Sequence, residues 1–211
     1  MSDSKPRPYG TLILFLFWGL LLAVVFFLML PGKKTPPELQ AVLRPAAMPL
    51  QPFELIDQHH QPFDLARLHG NWSFVFFGYT SCPDICPATL STLTGVMQLL
   101  NNDSSGDTPL QAVFVSVDPA RDTVDVIAQY IRYFDSSFVG VTGQQPAIDS
   151  LARQFGAGYM AEPETAPGQY LVSHTSSIFL VDPRGRLVAA FSPPHHAGTI
   201  ADQFRQIRTL F

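Results

Sequence analysis

Sulfur is scarce in this chain. Of 211 residues only two are cysteine, Cys82 and Cys86, so one local disulfide is the most the chain can form, and a ring that small does little for stability. Basic residues are outnumbered, 13 Lys+Arg against 17 Asp+Glu, and nothing in that balance suits nucleic acid. Internal repeats and low-complexity blocks are absent. What remains is the composition of an ordinary globular protein, with one long uncharged run at its start.

That run is "TLILFLFWGLLLAVVFFLML", Thr11 to Leu30, 20 residues without a charge. At about 1.5 Å per residue it matches a hydrocarbon core of about 30 Å, and it is read as a transmembrane helix in contact with the lipid bilayer. A cleaved signal peptide would be shorter in its apolar part and would end in an A-x-A-like site. Here Pro31 and Gly32 follow, then Lys33 and Lys34, so an uncleaved anchor is expected. Lys5 and Arg7 precede the run, and the positive-inside rule leans to an inside N-terminus. The segment from Pro31 to Phe53 carries six prolines in 23 residues, which suits a semi-rigid spacer. The expected organisation is a short tail at 1–10, an anchor at 11–30, a tether at 31–49 and one domain at 50–211.

Within that domain "FELIDQHHQPFDL" (Phe53 to Leu65) alternates like a short hairpin. "WSFVFFGY" (Trp72 to Tyr79) is almost wholly apolar, as for a strand covered on both faces. Helical spacing over Pro87–Leu100 makes Pro87 a suitable first helical residue. "LQAVFVSVD" (Leu110 to Asp118) is a second buried strand, and a helix follows it with Asp122 or Thr123 as cap and Val126, Ile127, Tyr130, Ile131 and Phe134 on one face. A third helix spans Pro146–Phe155. "SSIFLVDPRGRLVAAFS" (Ser176 to Ser192) is a hairpin turning at Asp182–Gly185, and a last helix runs over about Thr199–Leu210. The order β-α-β-α-(α)-β-β-α predicts an α/β, thioredoxin-like fold.

The two cysteines sit in "FVFFGYTSCPDICPATL" (Phe74 to Leu90), after the first buried strand and each followed by proline. Residues before proline avoid the helical region, which places Cys86 at the helix cap and Cys82 in the loop before it. There, unpaired N–H groups and the helix dipole favour thiolate. Three readings compete: a local disulfide, a redox dithiol, or part of a metal site. Asp84 between the cysteines is a modest oxygen donor or redox tuner, or else an Asx-turn residue.

A soft metal would want a third donor. Of six histidines, His174 immediately precedes the "SSIFLVD" strand, at the sheet edge where the Cys82 loop opens; the bland alternative is an ordinary loop residue. His59-His60 and His195-His196 read as solvated loops, with a second, weak metal site as the lesser alternative for each pair. Two cysteines and one histidine leave structural zinc a ligand short, whereas copper, Cu(I) especially, suits thiolate and imidazole. "DPARDT" (Asp118 to Thr123) opens on the same edge, but local pairing of Arg121 and capping by Asp122 or Thr123 account for it.

These stretches, "FFGYTSCPDICP", "VFVSVDPARDT", "FVGVTG" and "VSHTSSIFLVDPRG", resemble the Sco/SenC family of copper-binding assembly factors for cytochrome c oxidase, from about Phe53 to the C-terminus. The resemblance implies a membrane-anchored thioredoxin fold facing the bacterial periplasm, or the mitochondrial intermembrane space. It implies copper, as Cu(I) or Cu(II), on Cys82, Cys86 and His174. The implied role is delivery of copper to the copper A centre of cytochrome c oxidase subunit II, with an upstream copper donor protein, or reduction of that centre's cysteines by the Cys82–Cys86 dithiol. Relatives often carry "HS" where this chain has His174-Thr175. Thioredoxin enzymes carry C-x-x-C and a cis-proline before the later strand. This chain has three intervening residues and no proline beside His174, which weakens a general oxidoreductase reading, and nothing here resembles the peroxidase loop of peroxiredoxins.

Overall fold

The computed structural model describes residues 9–29, 36–102 and 108–211, and the chain divides into two units, 1–36 and 37–211. The first unit holds one helix, α1 (Tyr9–Met29), 21 residues long. Its side chains are described over 13–26, and among the described residues no helix is long and apolar enough to cross a membrane. Leu30, Lys5, Arg7, Lys33 and Lys34, on which the expected span and its orientation also rest, lie outside the described residues.

The second unit is built on β4 (Trp72–Gly78), all seven of whose residues are buried, and β5 (Leu110–Ser116), paired to it in parallel from Trp72↔Leu110 to Gly78↔Ser116. Side chains of β4 alternate between two covered faces. Trp72 and Phe74 meet Phe204 at 5.4 and 5.3 Å between ring centroids, on α6 (Ala197–Ile207), which packs against α3 (Ile85–Asn101). Phe77 faces the other way, 5.2 Å from Phe155 on α5 (Gln145–Phe155). A run whose one polar side chain is Ser73, itself buried, suits a strand covered on both sides, and each fully buried phenylalanine contributes about 1.5–3 kcal/mol.

Further strands complete a mixed sheet of eight. β6 (Val139–Thr142) adds in parallel to β5, and beyond it lies the antiparallel hairpin of β2 (Glu54–Asp57) and β3 (Pro62–Asp64). On the other side of β4 come β9 (Ile178–Val181) and β10 (Arg186–Phe191), both antiparallel to their neighbours. The helix α4 (Val124–Phe134) seats directly on β6 because residue 140 is glycine: a Cβ there would lie 2.3 Å from Ile127 and 2.8 Å from Ile131. This is the α/β thioredoxin-like layout expected from the sequence. β6 was not expected as a strand; four residues interrupted by Gly140 are too short for a period to show.

The tether expected at 31–49 is contradicted over 37–49. From Pro37 onward the chain is part of the domain: α2 (Pro37–Gln40) buries Leu39 to 0% exposure, and β1 (Leu43–Pro49) pairs antiparallel with β10 through Leu43↔Ala189, Met48↔Leu187 and Pro49↔Arg186. The prolines that suggested a spacer are compatible with this strand because it is the sheet edge, where a missing N–H breaks no ladder. Replacing Leu39 by alanine is expected to destabilise the domain by about 2–5 kcal/mol in chemical denaturation; a neutral result would mean that this segment is a free spacer after all.

Candidate metal centre

β4 ends at Gly78, and its chain continues through Tyr79 and Thr80 to the cysteine loop. Glycine is required there: a Cβ at residue 78 would lie 2.9 Å from Cys86 Sγ and 3.0 Å from Phe76 and Phe114. The helix α3 begins at Ile85 rather than Pro87, which corrects the expected placement of Cys86 at the cap. Cys86 is the second residue of the first turn, where the N–H that Pro87 lacks would have no partner in any case. Asp84 occupies the cap position but its side chain caps nothing. Its carbonyl accepts from the Ala88 N–H at 3.2 Å, and the Cys86 N–H is taken instead by Cys82 Sγ at 3.4 Å. The first sulfur thus does the work of a capping acceptor.

His174 is not on the loop before β9. It closes a separate two-stranded ribbon of β7 (Tyr159–Ala161) and β8 (Val172–His174), paired Tyr159↔His174. Three residues, 175–177, then lead to β9. Thr175 fastens the ribbon, its N–H donating to the Gly158 carbonyl at 2.8 Å and its hydroxyl accepting the Gly158 N–H at 2.9 Å. The imidazole lies edge-on to Phe76 and Tyr79, at 5.8 and 5.9 Å between centroids. Its Nδ1 is 3.1 Å from the Thr175 carbonyl, an oxygen that can only accept. That contact assigns the proton to Nδ1 and leaves Nε2 unprotonated, with a lone pair free to accept a hydrogen bond or ligate a metal.

Nε2 points at Cys86 Sγ, 3.3 Å away. Cys82, Cys86 and His174 present their ligand atoms within 4.8 Å of one another, and among the described residues they are the group of three or more such side chains that could hold a metal ion. Both cysteines are free thiols. Cys86 is wholly buried, Cys82 and His174 half-buried. Burial pushes the Cys86 thiol up, and Cys82 adds to the shift; desolvation outweighs the helix-start effect that favoured thiolate in the sequence reading. Burial also lowers His174, so the imidazole is neutral and available as a ligand at neutral pH. The metal-free centre therefore holds a protonated sulfur against a neutral ring nitrogen, and metal entry must displace the thiol proton.

The other candidates lie elsewhere. His59 and His60 are exposed, with His60 Nε2 3.8 Å from Asp125. His196 is exposed, but His195, expected in solvent, is half-buried and donates from Nε2 to the Phe191 carbonyl at 3.1 Å. Asp84 does not join the donor group. In the Asp118–Thr123 segment the expected pairing of Arg121 with Asp118 is present, and Thr123 is the cap of α4, accepting from Val126 at 3.3 Å. Asp122 instead reaches Thr80, and Tyr170 reaches Asp118. The sequence held one hint of this: a helix needs one cap, and two candidates stood side by side.

With this fold and donor set in place, the comparisons with known proteins are specific. The SCO1/SenC family model matches residues 41–209. An SCO2-like protein of Rickettsia prowazekii is 35% identical over 155 residues, covering 73% of this chain and 74% of that one. Copper-bound yeast Sco1 superposes with a TM-score of 0.71 at 31% identity over 78% of this chain and 90% of that one. Copper-bound ScoI of Arabidopsis thaliana gives 0.70 at 32% identity, over 75% and 98%. The chain belongs to the SCO1/SenC family.

The burial difference has a direct chemical readout. In the reduced, metal-free protein, iodoacetamide is expected to alkylate Cys82 well ahead of Cys86, as peptide mapping by mass spectrometry would show; equal labelling would mean that the sulfur packed behind His174 is open to solvent.

Proposed function

We propose that this protein is a membrane-anchored copper metallochaperone, with Cys82, Cys86 and His174 as ligands and copper as its cargo. The observation that carries the reading is the convergence of two sulfurs and a bare imidazole nitrogen within 4.8 Å. The donor set fits the ion: thiolate and imidazole are soft to intermediate ligands that suit Cu(I), and a third ligand from a separate ribbon accommodates Cu(II) as well. Relatives of this fold have been solved with copper bound. Residues 11–30 would hold the chain in a bilayer, with the domain on the periplasmic face of a bacterial inner membrane; the mitochondrial equivalent faces the intermembrane space.

The centre's residues divide the work. The half-buried Cys82 meets incoming copper first, and Cys86 gives up its proton only as the metal arrives, so that a free thiolate is not left standing behind it. His174, its ring fixed by the Thr175 carbonyl, closes the third side. The recipient is the copper A centre of cytochrome c oxidase subunit II, and an upstream copper donor protein loads the site.

A thiol–disulfide role is the second reading, favoured by the free state and closeness of Cys82 and Cys86. The dithiol would form one disulfide while the target's disulfide takes up the two electrons and two protons. The two readings separate at His174. In His174→Ala, the thiolate-to-Cu(II) absorption band of the copper-loaded chain, carrying roughly one copper per domain, is expected to disappear, while reduction of an oxidised copper A peptide by the same variant persists if the dithiol acts alone. An unchanged band and affinity in His174→Ala would remove the three-ligand site.

A further inference from the structure

Five residues of the loop between β5 and α4, Asp118 to Asp122, tie to both halves of the candidate centre. One end holds the cysteine side. Asp122 is wholly buried, and its carboxylate accepts the Thr80 N–H at 2.9 Å, the Thr80 hydroxyl at 2.6 Å and the Ser116 hydroxyl at 2.6 Å. Thr80 stands two residues before Cys82. The other end holds the histidine side. Asp118 accepts the Tyr170 hydroxyl at 2.7 Å and pairs with Arg121. Arg121 Nη1 donates to the Tyr170 carbonyl at 2.8 Å, with its guanidinium 3.6 Å from the centre of the Tyr170 ring. Tyr170 leads into β8, four residues before His174. Ser116 joins the ends, accepting the Asp118 N–H at 3.1 Å while donating to Asp122.

This concentration of bonds exceeds what the local chain needs. Thr123 already caps α4, so the Asp122 carboxylate is free for another task, and placing it at zero exposure is costly unless its bonds matter. The histidine side needs an anchor, because a ribbon of two three-residue strands is marginal by itself. Its ties to the cysteine side include the Cys86 Sγ contact and edge-on ring contacts with Phe76 and Tyr79.

We propose that the Asp118–Asp122 loop is a strut that fixes the separation between the cysteine pair and His174, with Asp122 positioning the cysteine loop through Thr80 and Arg121 positioning the histidine ribbon through Tyr170. None of the strut residues is a ligand. They act by holding ligands in bonding range, and partners of this kind typically matter by about 10- to 100-fold in metal affinity. The inference rests on the copper reading for its affinity consequences, and on the geometry alone for its mechanical ones.

The test uses the full chain in lipid nanodiscs, with Cu(I) affinity measured by competition with a chromophoric chelator and amide hydrogen exchange measured without metal. Tyr170→Phe, which removes one hydroxyl and keeps the ring, and Arg121→Gln are expected to weaken Cu(I) binding by roughly 10-fold or more. Combined with His174→Ala, both losses should vanish, because no histidine remains to be positioned. Asp122→Asn should weaken binding in either background. Without metal, faster exchange should be confined to residues 171–175 for Tyr170→Phe and to residues 80–82 for Asp122→Asn. The strut is wrong if Tyr170→Phe and Arg121→Gln leave affinity within about twofold, or if their losses add in full to that of His174→Ala, as independent sites would. A wild-type chain that bound no copper would sink the metallochaperone reading; the exchange pattern would then decide the strut by itself, and unlocalised exchange would overturn it.

Discussion

The approach of His174 Nε2 to Cys86 Sγ, 3.3 Å apart and 88 residues apart in sequence, is the constraint around which the domain is arranged. Neither atom could be held there by its own segment. The sulfur is fixed from below by Gly78, whose missing side chain is the space Cys86 fills, and from the side by the first turn of α3. The ring nitrogen is fixed by a proton held on the opposite side of the imidazole, against the Thr175 carbonyl. The sheet supplies the rigid floor: β4, packed on both faces by phenylalanines, ends at the site, so the loop that leaves it starts from a position with little freedom.

Electrostatics and packing pull in opposite directions at this point. A helix start should favour a thiolate, yet desolvation dominates at Cys86 and keeps the proton on. Burial likewise keeps His174 neutral. A charge-neutral thiol and imidazole can share a dry corner without the cost of an ion pair. Under the proposed copper role, that is a resting state suited to residues that meet a cation.

Much of this was legible in the residues. The two buried strands, the hairpin at Asp182–Gly185 and the helices α5 and α6 follow from periodicity and turn chemistry, because each is long enough or sharply enough punctuated to show a pattern. The cysteine pair was visible as a motif. Features that were missed depend on partners distant in sequence. β6, β7 and β8 are three or four residues each, stabilised by neighbours rather than by propensity. The prolines around 37–49 read as a spacer because the sequence does not reveal that the strand lies at an edge. The restriction before proline was applied too strictly at Cys86, since the first turn of a helix tolerates what its interior does not. Asp122 looked like a cap because its true partners, Thr80 and Ser116, are known only once β4 and β5 are side by side.

The unequal burial of the two sulfurs gives the centre a front and a back. Cys86 is wholly buried, while Cys82 and His174 are half-buried and reach solvent. Under the proposed copper role, a ligand from another molecule would arrive on the Cys82 side, and an ion leaving by stepwise exchange would part last from Cys86.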